Sequence, residues 1–241
     1  MSLNGKTIII TGAARRLGSA IAVACASNGA DVLLHYNSSS LEVEETSKKI
    51  EATGRKSWAL QADLSDTTAV FDLMAKAVSY SSIFGLINNA SIFQPLSFMD
   101  TTLSEWDEHM RVNLTAPFLL TQAFARQYAS PAPGRVVNLV DWRALRPGRD
   151  HFPYTISKAA LVALTKSTAL NLAPRINVNA IALGAILPPE GEPENPNLMN
   201  NVPQKRWAQL DELTRTVLFL LDGPDYITGE VIHLDGGRHL V

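Results

Sequence analysis

Apolar and polar positions along the chain fall into two alternating regimes. Short runs rich in Ile, Val and Leu, each bounded by turn residues, recur between longer stretches of helical composition. The first run, Lys6-Thr-Ile-Ile-Ile-Thr11, ends in a glycine turn and has the continuous apolar character of a strand buried on both faces. Similar runs occupy Asp31–Tyr36, Ser57–Ala62, Gly85–Asn89, Arg135–Val140, Ile176–Leu183 and Val231–Leu234. Between them lie helical stretches at Arg16–Asn28 (closed by Gly29), Leu41–Thr53, Thr67–Ser79, Ser104–Tyr128, Tyr154–Leu172 and Pro203–Leu221. This alternation predicts an α/β fold, a doubly wound parallel sheet of about seven strands with right-handed crossovers and helices on both faces. No repeat or composition break marks a second domain, so residues 1–241 read as a single Rossmann-type domain. The stretch from Ala185 to Pro203 departs from the pattern, carrying Pro188, Pro189, Pro193, Pro196 and Pro203 among Asn and Glu. It reads as a long loop beyond a strand's carboxyl end, suited to covering a ligand, with an idle surface insertion as the alternative.

Composition narrows the classes. Hydrophobic residues at 46%, charged residues at 18% and a net charge of −2 describe an ordinary globular enzyme and give no reason to expect nucleic acid or an anionic membrane as partner. No apolar run approaches the roughly 18 residues of a membrane span, and no basic-then-apolar leader is read at the start. The one cysteine, Cys25, sits in the small apolar run Ala20–Ala26 as a core-filling thiol, which points to a reducing cytoplasm. The histidines and cysteine show no metal-ligand spacing, so no metal is expected.

In an open parallel sheet, ligands bind beyond the carboxyl ends of the strands. The first strand runs into Thr11-Gly12-Ala13-Ala14-Arg15-Arg16-Leu17-Gly18. Gly12 permits a tight turn, Ala13 and Ala14 let a ligand approach the backbone, and Gly18 permits close helix packing. The helix that follows directs its free N–H groups and positive dipole end at a pyrophosphate. Arg15 and Arg16 oppose that dipole, a conflict an anionic ligand would relieve; a solvated helix start is the alternative. The second strand ends in His35-Tyr36-Asn37-Ser38-Ser39-Ser40, without the carboxylate that usually binds a ribose 2′-hydroxyl. Serine hydroxyls and an Arg from the glycine loop would bind a 2′-phosphate, which favours NADPH over NADH.

Tyr154 and Lys158 lie four apart at the start of a predicted helix and share one side of it. A free tyrosine, with a pKa near 10, is a poor acid–base catalyst at neutral pH, and a nearby cation brings it closer to a useful range. Around this pair stand Thr11-Gly12, Asn88-Asn89-Ala90-Ser91, Asn113 and the tail Ile227-Thr228-Gly229…Leu234-Asp235-Gly236-Gly237, in that order. The combination resembles the short-chain dehydrogenase/reductase family over essentially the whole chain. That resemblance implies Tyr154 as proton donor, Lys158 as its pKa-lowering partner and ribose ligand, and Asn113 as support for a proton-relay water. It implies further cofactor contacts at Gly12, Leu17, Asp63, Leu64, Asn89, Ala90, Gly184 and Ile186, with Asp63 accepting from the adenine amino group. Each polar residue also has a structural alternative as a strand-end or helix cap.

Three departures stand out: Arg16 where the family has a third glycine, Asp141 where it has a serine thirteen residues before the tyrosine, and Leu183 where it has a proline. The first two resemble the pteridine reductase branch, which includes the bacterial dihydromonapterin reductases. Reduction of a pterin C=N bond delivers a proton to ring nitrogen, and a carboxyl group at Asp141 suits that work; with Tyr154 it would titrate as a coupled pair. The resemblance implies Phe93 as a ring that sandwiches a planar heterocycle, Ser91 as a ligand to cofactor or substrate, and Arg16 as reaching pyrophosphate and pterin oxygen. It implies a homotetramer, in which Arg238 or His239 could enter a neighbouring pocket. The competing expectations are a carbonyl reductase of 3-oxoacyl thioesters or sugars, and a non-catalytic dinucleotide sensor.

Overall fold

The computed structural model describes residues 3–188 and 196–241. Seven strands form one parallel sheet: β1 (Thr7–Ile10), β2 (Asp31–Tyr36), β3 (Ser57–Gln61), β4 (Ile83–Asn88), β5 (Gly134–Asp141), β6 (Ile176–Leu183) and β7 (Val231–Leu234). Their spatial order is β3-β2-β1-β4-β5-β6-β7. The apolar runs become strands because both faces are covered. In β1, Ile8 and Ile10 enter one hydrophobic cluster and Ile9 the other, and in β2 Val32 and Leu34 divide from Leu33 in the same way. The helices α1 (Arg16–Ser27), α2 (Ser40–Glu51), α3 (Thr67–Tyr80), α4 (Leu103–Met110), α5 (Ala116–Gln127), α6 (Phe152–Leu172) and α7 (Leu210–Asp222) supply those covers. α1 and α7 bury one face; α3 and α5 bury the other.

The strand order reverses between β1 and β4, so the turns leaving these two strands diverge and open a crevice between them. Side chains then lock the two turns together. Thr11 Oγ1 accepts the N–H groups of Asn89 and Ala90, both at 3.0 Å. Asn89 Nδ2 donates back to the carbonyls of Thr11 and Gly12 at 2.8 and 3.0 Å. Gly12, at φ +62°, and Gly18 hold the narrowest places. A Cβ on Gly18 would lie 2.1 Å from the Gly12 carbonyl oxygen.

Two helical stretches end differently from their sequence expectation. Residues 104–128 do not form one helix: α4 stops at Met110, Arg111–Thr115 form a π turn, and α5 begins at Ala116. Pro117 explains the break, because it has no N–H for the Asn113 carbonyl four residues earlier and its ring crowds that carbonyl. The helix expected over 203–221 starts only at Leu210, where Gln209 and Glu212 form a reciprocal cap, and Lys205 before it adopts φ +54°. Of the Pro-rich stretch 185–203, Pro189 and Pro193 lie outside the described residues, while Pro196–Asn201 form a 3-10 turn rather than a loop.

Replacing Gly18 with Ala forces the cross-turn lock apart, at a cost of about 1–3 kcal/mol. A thermal melt should show a fall of roughly 3–10 °C in Tm; an unchanged Tm would mean the contact with Gly12 relaxes freely.

Candidate active site

A cavity of about 550 Å3 opens over the crevice. The glycine turn lines it with Gly12, Arg15, Arg16 and Leu17, and the end of β2 with His35, Tyr36, Asn37, Ser38 and Ser39. The turn after β3 adds Asp63 and Leu64, and the turn after β4 adds Asn89, Ala90, Ser91 and Phe93. The open start of α1 faces this space: no side chain caps it, and its first turn holds no acidic residue. These features fit a dinucleotide phosphate, since the uncapped helix start leaves its N–H groups and positive dipole end open to the cavity. Asp63 caps its own turn, one carboxylate oxygen accepting from Ser65 N–H at 2.9 Å.

Four expected cofactor residues make contacts of their own within the protein. His35 borders the cavity, but its ring is buried and spent within the protein: Nδ1 accepts from Gly12 N–H at 3.1 Å and Nε2 donates to the Ala62 carbonyl at 3.0 Å. It braces the glycine turn. Arg16, at φ +54° in the place of the missing glycine, donates to the Pro188 carbonyl at 2.7 Å and so bridges the glycine turn to the segment after β6. Gly184 and Ile186 do not line the cavity. The Gly184 Cα packs against Asp235, and the Ile186 side chain sits in the core at 5% exposure.

Beyond the cavity's Phe93 edge lies a second group of side chains. The phenol of Tyr154 donates to Asp141 Oδ2 at 3.1 Å, while Asp141 Oδ1 accepts Arg143 N–H at 2.8 Å. Lys158 Nζ donates to the Leu139 carbonyl at 2.8 Å and lies 5.7 Å from the Tyr154 ring centroid. The Asn113 amide is fully engaged, donating to the Ile92 carbonyl and Ser157 Oγ and accepting from Ile92 N–H and Ser91 Oγ. Any water held by Asn113 must therefore sit on the carbonyl that Pro117 leaves without its ladder donor. Phe93 meets Tyr154 edge-on, with ring centroids 4.6 Å apart, and joins the group to the cavity.

Burial dominates the electrostatics here. It pushes Asp141 above the usual carboxylate range, against the Arg143 N–H and guanidinium. It brings Lys158 down to about 8. The Tyr154 phenol is raised well above its ordinary value, first by burial and then by the charge and hydrogen bond of Asp141. The direction is thus opposite to the expected lowering by Lys158, first because the phenol is buried and then because its charged neighbour Asp141 is a carboxyl group.

A family model described as enoyl-(acyl carrier protein) reductase matches residues 12–239. A 2-dehydro-3-deoxy-D-gluconate 5-dehydrogenase of Bacillus subtilis (strain 168) is 34% identical, with 98% of this chain and 95% of that protein covered. The chain belongs to the short-chain dehydrogenase/reductase family. It is therefore a nicotinamide-dependent oxidoreductase, with the fold and crevice of that family. Another family member, a 3-oxoacyl-(acyl-carrier-protein) reductase FabG of Staphylococcus aureus (strain Mu50), is 33% identical, with 98% of each chain covered. The crystal structure of FolM alternative dihydrofolate reductase 1 from Brucella suis, in complex with NADP, superposes with a TM-score of 0.91 at 36% identity, covering 98% of this chain and 96% of that one.

Sequence reasoning missed Asp150 and His151. Arg143 donates to Asp150 Oδ2 at 2.9 Å, and that same oxygen lies 3.0 Å from His151 Nδ1. His151 stacks on Phe93 with ring centroids 3.9 Å apart and planes 8° from parallel. An Asp-His pair three residues before the tyrosine was the available signal. Arg238 lies 4.3 Å over the Trp142 ring of its own chain, and His239 is paired with Asp235.

His35 generates a stability prediction. Burial holds its pKa at about 4, against an ordinary value near 6.5, with the Ala62 carbonyl and Asp63 opposing. The unfolded chain takes up the proton first, so this contribution is full above pH 6.5 and is lost as pH falls toward 4, by about 3 kcal/mol. Denaturant titrations from pH 7 to 4 should show that decline, and His35→Asn, which does not titrate, should flatten it while lowering stability at pH 7. Parallel curves for the two proteins would refute the assignment.

Proposed function

We propose that this enzyme is an NADPH-dependent reductase of a pterin-type substrate, either a dihydropterin, a dihydrofolate or an oxidised pterin. One observation carries the reading: the phenol of Tyr154 is bonded to a carboxyl group, Asp141, with the Phe93 ring at its edge. A carbonyl reductase needs donors to one oxygen, which a hydroxyl beside the tyrosine supplies. Reduction of a C=N bond needs a proton at ring nitrogen, and an amino-pyrimidine edge pairs well with a carboxylate. The solved Brucella suis structure, whose name is that of an alternative dihydrofolate reductase, supports the same reading.

When bound, NADPH supplies the hydride. The residues proposed to hold it are Gly12, Arg15, Arg16 and Leu17 at the pyrophosphate and Tyr36–Ser39 at the ribose 2′-phosphate. Asp63 and Leu64 take the adenine, and Asn89, Ala90 and Ser91 the nicotinamide side. The acid-free end of β2 supports NADPH over NADH, as do the NADP in the Brucella suis complex and the NADPH in a metagenomic blue fluorescent protein, 30% identical with a TM-score of 0.91. Tyr154 and Asp141 hold the transferable proton between them. Burial keeps the phenol protonated and makes the carboxyl easier to protonate than an exposed one, so the pair retains its proton toward neutral pH. Lys158 orients Tyr154 and the ribose, and Asn113 holds the water through which the proton is replaced. Arg16, already at the cavity mouth, and Phe93 bind the heterocycle.

A second reading, reduction of a 3-oxoacyl thioester or a sugar-acid carbonyl, draws on the names of the Staphylococcus aureus and Bacillus subtilis relatives. We also propose a homotetramer in a reducing cytoplasm. The exposed Phe118 on α5 and Leu170 on α6 support assembly, and the buried, unreactive thiol of Cys25, raised to about 12, supports the compartment.

NADPH oxidation at 340 nm should be observed with dihydrobiopterin, dihydromonapterin or dihydrofolate, and much more slowly with NADH. Turnover confined to an acetoacetyl thioester would overturn the pterin reading. Tyr154→Phe should remove most turnover; a protein that keeps its function without this hydroxyl would be a sensor. Asp141→Asn should lower kcat/KM for the pterin by roughly 10²–10³. It should also remove the fall in rate that the wild type shows as pH rises through the raised pKa of that carboxyl. A variant with the wild-type pH profile would clear Asp141 of proton transfer.

A further inference from the structure

Resting on the planar-substrate reading above, we infer that His151 is a positioning residue that makes Phe93 into a fixed wall, and so selects flat ring substrates over acyclic ones. The stack between the two rings is nearly parallel, at 8° and 3.9 Å. Phe93 is 47% exposed and lines the cavity, with the Arg143 guanidinium 5.7 Å from its ring centroid. Without a partner, a half-exposed phenyl ring on a loop would sample several rotamers, and a ligand would have to arrest it on binding.

The surroundings fix His151 from every side. Its backbone adopts φ +53° and ψ +48°, a conformation uncommon for a residue other than glycine. Strain of this kind persists where neighbours over-determine it and gathers at ligand sites. Here the following residue, Phe152, donates its N–H to the Leu96 carbonyl at 2.8 Å, and the His151 carbonyl accepts from Thr155 N–H at 2.9 Å at the start of α6. Its ring is held through Asp150, which Arg143 grips, and Arg143 in turn adjoins Asp141 at 3.7 Å. Phe93 closes the circuit by its edge contact with Tyr154. The circuit runs from the proton-bearing pair through Arg143, Asp150, His151 and Phe93 back to Tyr154. The wall for the substrate and the source of its proton are thereby held in one frame. A substrate that stacks on Phe93 gains from that frame, whereas an acyclic oxo group, reached by Tyr154 alone, does not.

Two substitutions separate the stack from the backbone and the Asp150 bond. Asn tolerates the left-handed region and can still bond Asp150, but it has no ring to stack. Phe stacks but cannot bond Asp150. With dihydrobiopterin and NADPH, His151→Asn should raise KM about tenfold with a smaller change in kcat, and His151→Phe should keep KM within about twofold of wild type. The ratio of kcat/KM for dihydrobiopterin over an acetoacetyl thioester should fall in the Asn variant and recover in the Phe variant. Thermal melts and NADPH titrations establish that each protein is folded; His151→Gly, which relaxes the backbone, replaces the Asn variant if that one is not. A wild-type KM in the Asn variant overturns the inference, as does a Phe variant as impaired as the Asn one, which would assign the effect to Asp150. Absence of pterin turnover in the wild type itself overturns the pterin reading and this inference together, whereas failure in the variants alone leaves that reading standing.

Discussion

The crevice exists because two turns are tied where two strands part. β1 and β4 lie side by side, yet the chain leaves them toward opposite ends of the sheet. Left to solvent, the Asn89 and Ala90 N–H groups and the Thr11 and Gly12 carbonyls would need water, and the turns would drift. Thr11 Oγ1 and Asn89 Nδ2 satisfy all four instead. The bonds are part-buried and therefore stronger than their exposed equivalents, and costly to leave unmade. The lock draws Gly12 so close to Ala90 that a Cβ on Gly12 would stand 3.0 Å from the Ala90 Cα. His35 adds a third tie from β2, so the glycine turn is held by its neighbours on either side. The cradle for the pyrophosphate is thus prepared before any ligand arrives, which reduces the ordering that binding must otherwise bring about.

The catalytic side is governed by a different constraint, the burial of three ionisable groups together. Tyr154 and Lys158 are 7% and 3% exposed, and Asp141 is enclosed beside them. Each would shed its charge if alone. Burial lowers Lys158 to about 8, with Asp141 opposing, and its ammonium donates to the Leu139 carbonyl. Asp141 is pulled back toward ionisation by Arg143, and Tyr154 simply retains its proton. The Tyr154 phenol keeps its proton and donates it in a hydrogen bond to Asp141, whose own pKa burial raises. A serine in place of Asp141 would leave Tyr154 and Lys158 as the only titrating partners. The aspartate gives a third group whose pKa moves toward the working range.

What the sequence made legible follows from which features are local. All seven strands were recoverable because burial on both faces demands apolar runs, and the glycine turn because its steric need is written in Gly12 and Gly18. The π turn was also written, in Pro117, but a helical pattern continuing on both sides masked it. The bracing contacts of His35 were not legible because position at a strand's end does not reveal where a ring turns; only the fold brings Gly12 and Ala62 to its two nitrogens. Gly184 and Ile186 carried a family expectation into a turn whose leading residue is Leu183 rather than proline, and there they pack on Asp235 and the core. The Asp-His pair before the tyrosine was the one local trace of the Arg143–Asp150–His151 chain; its stack on Phe93 was not legible, because that ring is distant along the chain.

The mixed names among the relatives have a physical origin. Identities of 33–36% extend over whole chains, and the parts on which the family resemblance rests are the sheet, the glycine turn and the tyrosine–lysine pair. Those parts bind the cofactor and hold the proton whatever is reduced, so likeness in them is silent on substrate. The proposed discrimination rests on a few side chains that overall identity barely samples: Arg16 at a position of positive φ, Asp141 on the phenol, and the Phe93–His151 stack. Each costs the fold something, whether backbone strain, a buried carboxyl or an exposed ring. Arg16 and Phe93 line the cavity, and Phe93 meets the Tyr154–Asp141 pair at its edge, which is where the proposed planar, nitrogen-rich substrate would lie.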